Sequence, residues 1–201
     1  MCIRDSFVII GRKDRGITTD FASLQGKKVA AAAVESTRRC WTMVARQLGT
    51  PQDLFQWVTT DFSARDNVVV RGDVDAATYF HDSAVSLFAR LPQQDLSVLE
   101  YAKTGLNLYG NAVLASSRLI AEKPAALRGF LAASNRALKE TLADPEPALA
   151  AIKAREGILN LDVERARWAI TRQYLAVSYT HLTLDEGLGV DLGGRRIIKK
   201  K

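Results

Sequence analysis

The strongest constraint on this chain is a repeated pairing of a short apolar run with an amphipathic segment. LQGKKVAAAA, residues 24–33, reads as a glycine turn followed by a strand over Lys28–Ala32. STRRCWTMVARQLG follows at once. Ser36 or Thr37 is placed to cap it, Trp41, Val44, Ala45 and Leu48 recur at helical spacing, and Gly49 stands where a helix ends. The pair then recurs. DLFQWVTT (53–60) reads as a strand and DFSARDNVVVRG (61–72) as a short helix ending at Gly72. DVDAATYF (73–80) is a strand, and HDSAVSLFARLP (81–92) is a helix with Asp82 or Ser83 as its cap, stopped before Pro92. LSVLEY (96–101) is a further strand, and the apolar run FVII (7–10) precedes them all. Strands alternating with helices predict an α/β fold with a mostly parallel sheet covered on both faces.

After Tyr109 the texture changes. NAVLAS (111–116) reads as one last strand, and helical segments follow from Ser117: SRLIAEK, PAALRGFLAASNRALKETLAD, PEPALAAIKARE and DVERARWAITRQYL. Pro124 and Pro145 sit at helix starts, where a missing N–H costs nothing. Phe130, Leu131, Ala137 and Leu138 are spaced to form a buried stripe.

The two ends break this pattern. MCIRDS can be written ATG TGT ATA AGA GAC AGC, whose reverse complement reads A-V-S-Y-T-H, the residues from Ala176 to His181. That DNA resembles the transposon end used in building sequencing libraries, and DEGLGVDLGGRRII resembles translated adapter beyond it. Residues 1–6 and 177–201 are therefore expected to be adapter-derived and are set aside from fold reasoning. The tail carries part of the net charge of +6, and what remains is scattered, which gives no nucleic-acid-binding stripe. Without Cys2 and His181, Cys40 and His81 are the only cysteine and histidine, too few for a disulfide framework or a zinc cluster. Cys40, beside Trp41 on a helix, reads as a core residue. No P-loop, G-x-S-x-G or spaced carboxylate cluster occurs. Neither a metal nor a cofactor is expected.

The order of the pieces carries a family resemblance. LQGKKVA, a polar loop opening a helix, RGDVDAAT, then YGNAVLASSRLIAEKPAALRGFLAASNRAL and a DPEPA helix resemble the substrate-binding proteins of ABC importers for nitrate, sulfonates, taurine and thiamine-pyrimidine precursors. The resemblance covers nearly all of residues 7–176. It implies a two-lobe fold of the periplasmic binding protein type II class, here a complete second lobe with part of the first. Residues 7–12 would be the first hinge strand, 13–108 the second lobe, and 109–176 the second hinge strand with the returning helices. The start of the first lobe and a signal peptide would lie upstream. A half-built lobe exposes core-facing surface, which at about 25 cal/mol per Å² makes the chain marginal or aggregation-prone.

The resemblance further implies a solute-binding component that closes its lobes on a small organic ligand and docks on an ABC permease with its ATPase. It implies a periplasmic or membrane-anchored extracellular location, a monomer when complete, no chemistry of its own and no nucleic acid. Two other readings share the fold: an enzyme making the thiamine pyrimidine, and the effector-binding domain of a transcription regulator. The enzyme would need a reactive histidine and a cysteine-rich metal motif that the chain lacks.

In such a fold the ligand sits at the carboxyl ends of the strands, which selects three loops. VESTRR (34–39) offers helix N-terminal amides, the Ser36 and Thr37 hydroxyls and the Arg38 charge to an anion. A plain helix cap explains the same residues, and Glu35 suits an amine-bearing ligand better. TYFHD (78–82) offers Tyr79 and Phe80 for stacking and His81 for a hydrogen bond, or alternatively packing groups only. TGLNLYGN (104–111) offers Asn107, Tyr109 and Asn111, or an ordinary loop eased by Gly110.

Overall fold

The computed structural model describes residues 6–106, 108 and 113–179 of the 201-residue chain. They divide into two compact units. One comprises the described residues up to Leu108 together with Asp162–Thr171, and the other comprises those from 113 to Leu161 and from Arg172 onward.

The first unit is built on a five-stranded sheet. Its strands are β1 (Phe7–Arg12), β2 (Lys28–Ala31), β3 (Gln56–Thr59), β4 (Ala76–Phe80) and β5 (Leu96–Glu100). Their spatial order is β3-β2-β4-β1-β5. β2 pairs in parallel with β3 and β4, whereas β1 pairs antiparallel with both β4 and β5. Four strands therefore point one way and β1 alone runs against them, so the sheet is mixed rather than uniformly parallel. Local pattern does not reveal this, because an apolar run such as FVII reads the same in either direction.

β1 shows why the sheet is buried on both faces. Val8, Ile9 and Ile10 are fully buried and Phe7 nearly so. Phe7 and Ile9 point into one core with Phe21, Trp41, Val44, Phe55 and Leu99. Val8 and Ile10 point into the other with Val69, Tyr79, Leu87 and Leu96. Each such aliphatic side chain contributes roughly 1.5–3 kcal/mol by leaving water. Helix α1 (Ser36–Leu48) covers the first face through Trp41, Val44 and Ala45. Helices α2 (Arg65–Arg71) and α3 (Val85–Phe88) cover the second through Val69 and Leu87.

The local signals mostly hold, with differences that have local causes. α1 ends at Gly49 in the left-handed conformation, φ 66°. Its N-cap is Glu35 rather than Ser36 or Thr37, with no side-chain cap bond, because the Thr37 hydroxyl donates to the Tyr79 carbonyl instead. Asp20 caps the short 3-10 turn Phe21–Leu24 by accepting from the Ala22 amide. Residues 81–92 form a 3-10 turn, His81–Ala84, before the single helical turn of α3, and neither Asp82 nor Ser83 caps a helix there. The Ser83 hydroxyl donates back to the Phe80 carbonyl.

The second unit is helical. It contains α4 (Ser117–Glu122), α5 (Pro124–Ala143) and α6 (Glu146–Arg155), with Pro124 at the first turn of α5 and Pro145 capping α6. Ser116 caps α4 by accepting from the Leu119 amide. The last helix, α7 (Leu161–Tyr179), contributes residues to both units. Two expectations fail here. Val113–Ser116 form no strand: Leu114 is 92% exposed and the sheet ends at β5. Asn111 and Ala112 lie outside the described residues. The stripe on α5 is not buried either. Phe130 is 56% exposed, and α5 has no buried residue; the described residues of its own unit form no sheet for it to pack on.

Candidate functional site

Because β2, β3, β4 and β5 share one direction, their carboxyl ends gather at a single edge of the sheet. Four connections leave from that edge: residues 32–35, 60–64, 81–84 and 101–106. β1 begins there as well, with Phe7 opposite Phe80. The loops 34–39 and 78–82 singled out from sequence thus lie side by side. Of the third loop, Asn107, Tyr109 and Asn111 lie outside the described residues. Thr104 turns back so that its hydroxyl donates to the Tyr101 carbonyl.

The start of α1 is fixed from beneath by β4 and by the turn that follows β5. The Tyr101 hydroxyl donates to the Thr37 carbonyl at 3.2 Å, and the Thr37 hydroxyl donates to the Tyr79 carbonyl at 3.5 Å. Ser36 remains exposed at the first turn, next to free helix amides. Arg38 is half-buried. Its Nη1 donates to the Thr59 hydroxyl at 3.0 Å, and its guanidinium lies over the Trp57 ring at 5.2 Å. A cation held by both a hydrogen bond and an aromatic face has few rotamers left to lose.

Glu35 behaves differently from a surface carboxylate. It is 3% exposed, and both oxygens are engaged. Oε1 accepts from Arg65 Nη1 at 3.0 Å; Oε2 accepts from the Thr78 hydroxyl at 2.7 Å and the Ala32 amide at 3.2 Å. Arg65 is itself buried, with its guanidinium 4.0 Å from the Tyr79 ring centroid and 5.4 Å from that of Phe62. Tyr79 is fully buried and its hydroxyl donates to Asp66 at 2.7 Å. Burial, with Asp66 beside it, pushes the Tyr79 hydroxyl far above its ordinary range, so it stays protonated. Glu35, Thr37 and Tyr79 therefore lie under the loops, whereas Ser36 lies on them and Arg38, Phe80 and His81 are half-buried.

His81 leaves the end of β4, its amide donating to the Ser6 carbonyl and its ring edge-on to Phe88 at 6.1 Å. Burial lowers its pKa, outweighing the opposite pull of Glu100 and Asp82, so the neutral imidazole is favoured. Phe80 packs on Phe7, ring centroids 5.2 Å apart. Cys40 is half-buried and packs against the Trp41 core. Among the described residues no group of three or more His, Cys, Asp or Glu side chains is placed to hold a metal.

Sequence reasoning missed Arg65, Thr78, Phe62 and the Trp57–Thr59 ledge. One signal existed for Arg65. It opens a helix, the end where the dipole disfavours a cation, which suggests a specific anionic partner.

The NMT1/THI5-like family model matches residues 3–148. The chain belongs to the NMT1/THI5-like family. No curated protein sequence matches it. Among solved structures, this NMT1/THI5-like chain is similar to the periplasmic aliphatic sulphonate binding protein of Escherichia coli, at 21% identity and a TM-score of 0.66, over 90% of this chain and 64% of that one. It is also similar to a protein of Methylobacillus flagellatus described as a periplasmic sulfonate-binding protein, at 14% identity and TM-score 0.59, over 87% of this chain and 54% of that one. A third is the ligand-binding component of an ABC-type import system from Staphylococcus aureus, at 11% identity and TM-score 0.58, over 87% and 56% of the two chains. These likenesses establish the periplasmic-binding-protein fold. The chain spans less than two thirds of the length of each.

Proposed function

We propose that this NMT1/THI5-like chain belongs to the solute-binding component of an ABC importer. It would capture a small organic ligand, of the sulfonate, nitrate-like or pyrimidine-precursor kind, by lobe closure and hand it to a membrane permease with its ATPase. A periplasmic or membrane-anchored extracellular location follows from the same reading. The observation that carries it is the gathering of loops 34–39 and 78–82 at one carboxyl edge of the sheet, in a chain of this family.

In this reading Ser36, Arg38, Phe80 and His81 meet the ligand, with Asn107, Tyr109 and Asn111 completing the set. Glu35, Thr37 and Tyr79 hold the loops in place. Binding rather than catalysis is favoured because the similar solved structures are described as binding proteins or binding components.

Isothermal titration of the full chain with ethanesulfonate, nitrate, ethylamine and an aminopyrimidine tests the reading. Saturable one-to-one binding of at least one probe is expected, weakened at least tenfold by Arg38→Ala. If none of the four binds, the solute-binding reading is lost.

A further inference from the structure

Glu35 is the residue that makes the ligand's charge ambiguous, and its burial resolves the ambiguity. We propose that Arg65 sets the charge preference of the site by cancelling Glu35 beneath the start of α1, so that the site takes a small organic monoanion and refuses amine-bearing ligands. This rests on the solute-binding reading above and names the class of ligand within it.

Three observations combine. Glu35 is 3% exposed, and its carboxylate accepts from Arg65, Thr78 and the Ala32 amide, three of about four acceptor sites, so its charge is met inside the fold. The guanidinium that neutralises it is also buried, and its Nε has no acceptor among the described residues, so Arg65 retains a donor beyond the ion pair. Arg38, half-buried on the same loop, is held by Thr59 and Trp57, neither of them acidic. Of the described carboxylates at this edge, Asp61 is exposed to water, which screens its charge, and three others are engaged. Asp66 accepts from Tyr79, Asp82 from Thr171, and Glu100 pairs with Lys103. With Glu35 cancelled, a ligand meets the helix amides, the Ser36 hydroxyl and Arg38, all of which favour negative charge. Without Arg65 it would meet an uncompensated carboxylate that solvent screens poorly.

Arg65 is on this account a positioning residue. Its test is the sign of two opposite substitutions, read by titration of the full chain with the two anions and the two amines. The wild-type chain is expected to bind ethanesulfonate or nitrate and neither amine. Arg65→Gln should weaken anion binding at least tenfold, Glu35→Gln should tighten it severalfold, and Glu35→Gln/Arg65→Gln should return it to within about threefold of wild type. A merely structural pair would behave otherwise, with both single variants weakening every ligand alike in step with lost melting temperature. That parallel loss overturns the proposal, as does a wild-type preference for an amine, which would leave the solute-binding reading intact. Should Arg65→Gln fail to fold, Glu35→Gln against the double variant still decides it, since equal anion affinities in those two refute charge control. Binding of no probe removes the solute-binding reading and the proposal together.

Discussion

A carboxylate buried to 3% exposure is stable only while its partner stays. Glu35→Ala should destabilise the chain by about 3–5 kcal/mol, because it strands Arg65 as an unpaired buried cation. By contrast Arg71→Ala, which breaks the exposed pair with Asp73, should cost less than about 1 kcal/mol. Urea denaturation of the two variants checks the contrast, and comparable losses would contradict it. His81 offers a pH-linked test. Its folded pKa lies below the ordinary 6.5, so as pH falls the unfolded chain takes up the proton first. The stability that His81 contributes is present above pH 6.5 and is lost as pH falls through the folded value. His81→Gln should therefore flatten the drop in melting temperature between pH 7.5 and pH 5.5. At this scale the sequence was least legible. Glu35 read as a charge facing the ligand because spacing reveals which face a residue shares, not which partner, 30 positions away, neutralises it.

Elements were more legible than contacts. The α1 pattern fixed its face and its glycine stop, and the strand of residues 76–80 lies within the stretch that reads as extended. NAVLAS misled because an apolar run becomes a strand only when a neighbouring strand takes its backbone hydrogen bonds, and apolar spacing says nothing of that neighbour; Val113–Ser116 form no strand. The same logic of neighbours governs Gly11 in β1. A Cβ there would come within 2.6 Å of the Ile17 side chain, which is itself buried against the strand. Gly11→Ala should thus cost about 1–3 kcal/mol by overpacking. Adding Ile17→Val should recover part of that loss. Thermal melts of the single and double variants measure it, and a neutral Gly11→Ala would show that Ile17 has room to move.

Across the whole molecule the apolar surface is unevenly housed. The sheet unit buries two continuous cores, while the helical unit buries Leu149 and Leu175 and exposes Leu114, Phe130, Ile152 and Ile158. Local opening costs least where few apolar contacts close over the backbone. In hydrogen exchange on the full chain, amides of β1, β2 and β4 should therefore outlast those of α4, α5 and α6 by at least tenfold. Equal protection would mean the helices are buttressed as firmly as the sheet. The alternation of strand and helix that opens the sequence made the layered half of the molecule readable. The exposure of α5 was not readable, because amphipathic spacing marks a face fit for burial without saying what is there to bury it.

β1 is the first strand among the described residues, yet it forms none of its ladder with its near neighbours in sequence. Val8 waits for Tyr79 and Glu100. On the ribosome, at roughly 5–20 residues per second, Phe-Val-Ile-Ile would spend several seconds in the open with neither strand available. During that interval the strand that will join β4 to β5 is an apolar segment with both edges bare, an attractive target for a chaperone or for another nascent copy. The reversed strand that ties the finished sheet together is thus also the place where its assembly is most open to interruption.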